Sequence, residues 1–143
     1  MELSAKAEYA CLAMAELATR HERGMPTSLK AIAQQFKISH PFLMQIFIQL
    51  KGARLVTSLR GPTGGYQLGR SPEALTLLEI VEVIDGPGKE TTGLDSLPDV
   101  PLLHLLEQVR CEARQASREV LNKVTIGELA RRASRTGSLE YQI

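Results

Sequence analysis

The fold is decided by residues 38–50, ISHPFLMQIFIQL, and by the segments on either side of them. Apolar residues recur here at i, i+3, i+4 and i+7, which predicts a helix whose buried face consists of Leu43, Ile46, Phe47 and Leu50. Ser39 is the predicted N-cap, and Pro41 suits the first turn, where its missing N–H costs nothing.

The flanking segments complete a recognisable motif. A shorter helix begins after Ser28 and reaches Phe36, and a tight turn, Lys37-Ile38-Ser39, joins it to the helix above. Two short helices with such a turn form a helix-turn-helix. Residues 55–60 and 65–68 then change to strand-like patterning around a loop rich in Gly and Pro. A helix-turn-helix followed directly by a hairpin predicts a winged helix.

The remaining chain is predicted to be helical, so the fold class is mostly α with a small β-hairpin. One helix occupies residues 4–20, a fourth begins at the capping box of Thr76 and Glu79, and a long fifth begins near Asp99. A short last helix follows Thr125 and ends at about Ala133. We therefore predict a winged helix-turn-helix domain over 1–86, a loop over 87–98, and a dimerisation region over 99–143.

Charge is distributed unevenly along the chain. The formal net charge is +1, yet residues 23–72 hold seven Lys and Arg and no Asp or Glu, whereas residues 73–109 hold eight acids and one Lys. An acid-free basic block indicates a surface for a polyanion such as DNA. Chance clustering on solvated faces is the alternative.

The sequence favours a cytoplasmic protein that is not an enzyme. No apolar run is long enough to cross a membrane, and residues 1–10 lack the pattern of a secretory signal. Two cysteines cannot build a disulfide framework. Three histidines and no closely spaced cysteines leave no catalytic constellation or ordinary zinc site.

The third helix is predicted to read base edges in the major groove. Gln45 and Gln49 are four residues apart on one face, and Gln can bond adenine N6 and N7. Recognition helices read bases mainly with their N-terminal residues. The candidate contacts are therefore Ser39, His40, Pro41, Phe42, Met44, Gln45, Gln49 and Lys51; ordinary surface polarity is the alternative for each Gln.

The hairpin loop is predicted to enter the minor groove. Its candidate contacts are Arg60, Gly61, Thr63 and Gly64. Arg is attracted by the negative potential of a narrow minor groove, and glycine allows close backbone approach. A purely structural turn needs one or two glycines, so the third favours a function.

The long helix carries a heptad seam with spacing 4, 3, 4, 3, 4. Its apolar residues are Leu102, Leu106, Val109, Ala113, Ala116 and Val120. This pattern predicts a homodimer, since two-fold symmetry suits half-site reading. Packing against the chain's own domain is the alternative.

Several of these segments resemble the bacterial IscR/NsrR/CymR-type winged helix transcription regulators. The resemblance rests on residues 3–10 (LSAKAEYA), 38–50, 55–56, the wing RGPTGGY over 60–66, 78–86 (LEIVEVIDG) and 125–129 (TIGEL). It implies DNA-binding dimers with intertwined long helices. It also implies that Phe42 and Arg60 contact the grooves and that Lys6 contacts a phosphate.

The chain departs from the iron–sulfur members of that family. Those members carry three cysteines in and after the loop that follows the fourth helix, whereas residues 87–103 contain none. No cofactor is therefore expected. Some relatives borrow an acidic ligand from the partner's first helix, which leaves one atypical site conceivable, formed by Glu8, His104 and Cys111.

The sequence predicts a regulator, most simply a repressor, that binds an inverted-repeat operator as a dimer. Its predicted partners are double-stranded DNA, a second copy of the chain, and a small effector or a partner enzyme, with no membrane. The alternatives are a winged-helix protein-interaction module and an atypical iron–sulfur or redox sensor.

Overall fold

The computed structural model describes residues 3–62, 64–87 and 93–141. Within these ranges the chain forms six α-helices and one antiparallel hairpin, in the order α1 (Ala5–Thr19), α2 (Leu29–Phe36), α3 (His40–Gly52), β1 (Val56–Leu59), β2 (Gly65–Leu68), α4 (Leu77–Asp85), α5 (Pro101–Lys123) and α6 (Ile126–Tyr141). Short 3-10 turns occupy His21–Arg23, Pro72–Ala74 and Gly93–Ser96.

Hydroxyl side chains fix the starts of five helices, including α6, where Thr125 accepts a hydrogen bond from the Glu128 N–H at 3.1 Å. Ser4, Ser28 and Ser39 accept hydrogen bonds from the backbone N–H groups three residues later, and Thr76 does the same for Glu79. Each such bond satisfies an otherwise unpaired donor of the first turn. The predicted caps at Ser28, Ser39 and Thr76 are confirmed.

One apolar core joins α1, α3, the hairpin, α4 and α6. The four α3 residues predicted to be buried are fully buried, and Phe47 packs edge-to-face against Tyr66 with ring centroids 4.8 Å apart. The α1 face toward the core is rich in alanine, which lets neighbouring helices approach closely. Helix α3, the predicted recognition helix, is thus fixed by the close packing of its buried face against the core.

The hairpin is anchored by a pairing that the sequence did not reveal. β1 and β2 pair antiparallel in a register that sets Val56 opposite Leu68. Thr27, which lies outside the two strands, exchanges two backbone hydrogen bonds with Tyr66, of 2.9 and 2.8 Å. The turn before α2 therefore behaves as a third strand and holds the wing against the helix-turn-helix.

Helix α5 differs from every other α-helix with described burial because none of its residues is buried. It contacts α4 along one side, where Arg118 pairs with Glu82. Backbone bonds from Leu77 to Val124 and from Ile126 to Leu75 tie the α5–α6 junction to the start of α4. The long helix is fixed at its C-terminal end and leaves its apolar row uncovered.

Two predictions for the C-terminal part of the chain need correction. Helix α6 continues to Tyr141 instead of ending near Ala133, and a 3-10 turn lies within the loop predicted over 87–98. Helix α5 begins at Pro101, in agreement with the predicted start near Asp99. Residues 88–92 of that loop lie outside the described residues.

Among the described residues, no helix combines the length and apolar character needed to cross a bilayer.

Candidate nucleic-acid interface

The outward face of α3 centres on Pro41, Gln45 and Ile48. Successive residues turn by about 100° around a helix, so these three lie opposite the buried face formed by residues 43, 46, 47 and 50. All three are exposed, Ile48 with 66% of its surface. The face therefore offers one amide and two apolar side chains.

Sequence reasoning missed Ile48 as a surface residue. Its neighbour Met44, four residues earlier, was predicted to face outward and is 44% exposed. The i, i+4 relation to Met44 and the i, i+3 relation to Gln45 could have identified Ile48, since both place it on the same face. An exposed β-branched side chain at this place suits contact with thymine methyl groups.

Gln49 is a correction to the predicted outward face. The residue is half-buried, and its Oε1 is buried without a hydrogen-bond partner in the ranges described above. It lies at the margin between the buried and exposed sides of α3, so its carbonyl turns inward. The predicted outward exposure of Gln49 is therefore only partial, and its DNA contact stays a prediction.

Phe42 connects the recognition helix to α1. Its ring is half-buried and meets Tyr9 edge-to-face, with centroids 5.7 Å apart and planes at 86°. Such aromatic pairs fix the relative position of two elements. Phe42 therefore combines a packing role with its predicted groove contact.

The other predicted contacts on α1 and α3 are placed as follows. Ser39, His40 and Lys51 are exposed, and the Ser39 hydroxyl is engaged as the N-cap. Lys6 lies half-buried in the first turn of α1. The structure brings together six predicted contacts on α3 and its N-cap: Ser39, His40, Pro41, Met44, Gln45 and Lys51.

The wing projects its loop into solvent. Arg60, Gly61 and Pro62 are exposed, and Gly64 donates a hydrogen bond to the Gly61 carbonyl at 2.9 Å. The guanidinium of Arg60 therefore stands beside a tight backbone turn. The predicted contact at Thr63 lies outside the described residues.

The glycines of the wing have structural reasons that the sequence analysis underestimated. Gly61 has φ 112°, a conformation that side chains disfavour. A Cβ at Gly64 would lie 2.3 Å from the Leu59 carbonyl oxygen, and one at Gly65 would lie 2.5 Å from that of Thr27. Three glycines therefore do not exceed structural need and are no evidence of function by themselves, and the predicted contacts at Arg60, Gly61 and Gly64 stay predictions.

Ion pairs neutralise part of the acidic block and one cation of the basic block. Three acids of the acidic block pair with arginines: Glu73 with Arg131, Glu79 with Arg70, and Glu82 with Arg118. Arg70 is thereby neutralised locally. Six other cations of residues 23–72 are exposed and form no ion pair with the described chain: Arg23, Lys30, Lys37, Lys51, Arg54 and Arg60.

The predicted dimerisation row lies uncovered in the single chain. Leu102 is 76% exposed and Val109 is 60% exposed. The other residues of the row are exposed as well: Leu106, Ala113, Ala116 and Val120. The alternative that this row packs on its own domain is not what the structure shows.

The conceivable atypical metal site is not assembled within one chain. Glu8 and Cys111 are exposed, and His104 pairs with Asp99. No group of three or more potential ligands among His, Cys, Asp and Glu comes together in the described part of the chain. The atypical site would take Glu8 from the first helix of a second copy, so it stays a prediction that a single chain does not test.

Cys11, the other cysteine of the chain, is poorly suited to bind metal. Burial, with smaller contributions from Asp85 and Glu8, raises the pKa of the Cys11 thiol to about 11. A thiol must lose its proton to ligate a metal, so this environment opposes binding. Cys11 acts as a small core residue.

The helix-turn-helix, the exposed α3 face and the arginine-bearing hairpin define a winged helix-turn-helix DNA-binding protein. Residues 3–132 match the Rrf2 family, described as "Iron-dependent Transcriptional regulator". The chain belongs to this family of transcriptional regulators.

Individual relatives support the same assignment. The chain is 39% identical over 130 residues to the HTH-type transcriptional regulator CymR of Bacillus subtilis, covering 91% of this chain and 90% of that protein. It is 40% identical over 86 residues to the HTH-type transcriptional regulator IscR of Cereibacter sphaeroides, covering 59% and 56%. The solved structure of B. subtilis CymR, described as a global cysteine regulator, superposes with a TM-score of 0.78 at 36% identity, covering 92% and 97%.

Proposed function

We propose that this protein is a cytoplasmic repressor that binds an inverted-repeat operator as a homodimer. The observation that carries the proposal is the exposed α3 face, which lies in a stretch of chain without acidic residues and is followed by an exposed arginine-tipped wing. Family membership supports the regulatory class, and the remaining detail rests on the surface chemistry.

The α3 face would occupy the major groove. Gln45 can contact adenine N6 and N7 together, and Ile48 and Met44 can contact thymine methyl groups. These side chains are exposed while the opposite face of α3 is fixed in the core. The operator half-site is thus expected to contain A·T pairs at the positions read by this face.

The wing would occupy the adjacent minor groove. Arg60 is exposed beside the Gly61 turn and forms no ion pair with the described residues. An unpaired guanidinium is free to enter the negative potential of a narrow groove. We therefore assign Arg60 to minor-groove contact.

Helix α5 would provide the dimer interface. Leu102, Leu106, Val109 and Val120 expose large apolar side chains along one side of a 23-residue helix. A seam of about two and a half heptads can bury these side chains against the same row of a second copy. Two-fold symmetry would then present two recognition helices to the two halves of a palindrome.

We propose that the regulatory signal is a small effector or a partner enzyme, with no resident iron. The family description mentions iron, but residues 87–103 contain no cysteine and the described residues of one chain assemble no ligand group. Protein purified without oxygen should lack a visible chromophore and stoichiometric iron. A cysteine-dependent chromophore lost in Cys111→Ser would contradict this assignment.

Selection from a random duplex library tests the proposed function directly. The purified chain should enrich a palindromic motif with A·T pairs in each half-site. Enrichment of a single half-site would contradict the dimer, and the absence of any enriched motif would favour a protein-interaction module.

A further inference from the structure

Two residues outside the predicted interface adopt a backbone conformation that favours glycine. Among the described residues, Lys37 with φ 55° and Arg54 with φ 63° have positive φ although they are not glycine. L-amino acids disfavour this left-handed region because Cβ approaches the following carbonyl oxygen. The left-handed conformation of these two residues therefore lowers the free energy of unfolding.

The two positions are structurally equivalent. Lys37 directly follows the last residue of α2, and Arg54 lies two residues after the last residue of α3. The next residue in each case is a buried apolar one, Ile38 or Leu55. The N–H of Ile38 bonds the Ala33 carbonyl at 3.0 Å, and that of Leu55 bonds the Leu50 carbonyl at 3.0 Å. This is the Schellman helix end, in which glycine is the usual left-handed residue.

Both positions carry an exposed cation instead. Neither Lys37 nor Arg54 forms an ion pair with the described chain, so neither charge is used within it. Elsewhere the chain does place glycine at left-handed turns, as at Gly24 with φ 61°. Lys37 and Arg54 both adopt this unfavourable backbone conformation, and both are cations. We take this as an indication that the charge at these positions has a task that glycine cannot perform.

The location of the two residues suggests that task. Lys37 precedes the start of α3 and Arg54 follows its end. A helix of 13 residues is roughly 20 Å long, whereas the major groove is about 12 Å wide. A recognition helix lying across the groove would therefore bring its two ends toward the two phosphate strands.

We propose that Lys37 and Arg54 contact DNA phosphates at opposite ends of the recognition helix. This inference rests on the proposed function, because it requires α3 to occupy the groove. Phosphate contacts fix position and affinity but carry no base preference. The two cations would anchor α3 while Gln45 and Ile48 read the bases.

Glycine substitution separates this role from a structural one. Lys37→Gly and Arg54→Gly relieve the backbone strain, so each variant should have a Tm at or above that of the wild type. Each should nevertheless bind the selected operator and an unrelated duplex more weakly by a similar factor, about three- to tenfold. Because the proposed dimer loses one phosphate contact in each protomer, the slope of log affinity against log salt should become shallower by about 1.8. Lys123→Ala, which removes an exposed cation at the end of α5, is the matched control and should change neither quantity.

The outcomes distinguish this inference from the proposed function. Unchanged affinity and salt slope in both glycine variants, with wild-type binding intact, would overturn the phosphate contacts alone, as would a loss confined to the operator. If a glycine variant is less stable, Lys37→Asn removes the charge in a residue that tolerates this conformation; wild-type binding by that variant would overturn the inference, and weakened binding would support it. A wild-type chain that binds no duplex would overturn the proposed function itself.

Discussion

The winged-helix region and helix α5 differ in the burial of their apolar side chains. Residues 3–87, apart from Thr63, enclose most of a shared core in which Met14, Ile32, Phe47 and Leu75 are fully buried. Helix α5 has no buried residue and exposes its apolar row along the helix. The first region buries its apolar residues in this core, together with Ile126 and Ala130 of α6, whereas the second leaves its row uncovered, as the proposed dimer would require.

The largest expected effect tests the packing of the core around Phe47. Phe47→Ala removes a fully buried ring that contacts Tyr66, so the free energy of unfolding should fall by about 3–5 kcal/mol. The neighbouring exposed residue is the control, and Ile48→Ala should change stability by less than about 0.5 kcal/mol. Urea titration at one protein concentration measures both, and similar losses would show that α3 is not packed as described.

The next effect tests the uncovered row of α5. Val109→Asp places a charge in the seam of both protomers, so self-association should weaken by about 2–4 kcal/mol. Gln108→Asp introduces the same charge on the same helix outside the row and should leave association nearly unchanged. Sedimentation equilibrium distinguishes the two, and a Val109→Asp protein that sediments like the wild type would assign the row to another partner.

A smaller effect tests how the wing is joined to the core. Gly65→Ala would place a Cβ 2.5 Å from the Thr27 carbonyl oxygen, so the unfolding free energy should fall by about 1–3 kcal/mol. Gly52→Ala meets nothing within 4 Å and should raise it by about 0.5–1 kcal/mol. Thermal unfolding measures both, and a stable Gly65→Ala variant would contradict the close contact with Thr27.

The smallest effect contrasts one cysteine from each region. Burial raises the pKa of Cys11 to about 11, whereas Cys111 on α5 is exposed. At pH 8 only about one Cys11 in a thousand would be thiolate, so alkylation should reach Cys111 at least about tenfold faster. Raising the pH to 10 should accelerate Cys11 by about a hundredfold, as followed by mass spectrometry; equal rates at pH 8 would show that Cys11 is not protected by the core.

Local signals made the winged helix predictable. Ser28, Ser39 and Thr76 cap helices within three residues, and the α3 apolar pattern identifies its buried face without any long-range information. The hairpin was equally legible because its two strands are separated only by a short loop.

What the sequence did not reveal depends on distant or marginal geometry. The Thr27–Tyr66 pairing joins segments far apart in the chain, and Thr27 lies in no strand pattern. Gln49 stands at the edge of the α3 face, where a small rotation decides its exposure. The left-handed backbone at Lys37 and Arg54 could not be predicted because glycine, the residue that usually indicates it, is absent from both positions.

The most direct test of the account is an affinity titration of the selected operator with Gln45→Ala and Arg60→Ala. Each variant should lose roughly 1–3 kcal/mol of specific binding, with Lys123→Ala unchanged, because one side chain faces outward from α3 and the other stands at the wing. Wild-type affinity in both variants would contradict the claim that this helix face and this wing form the DNA interface.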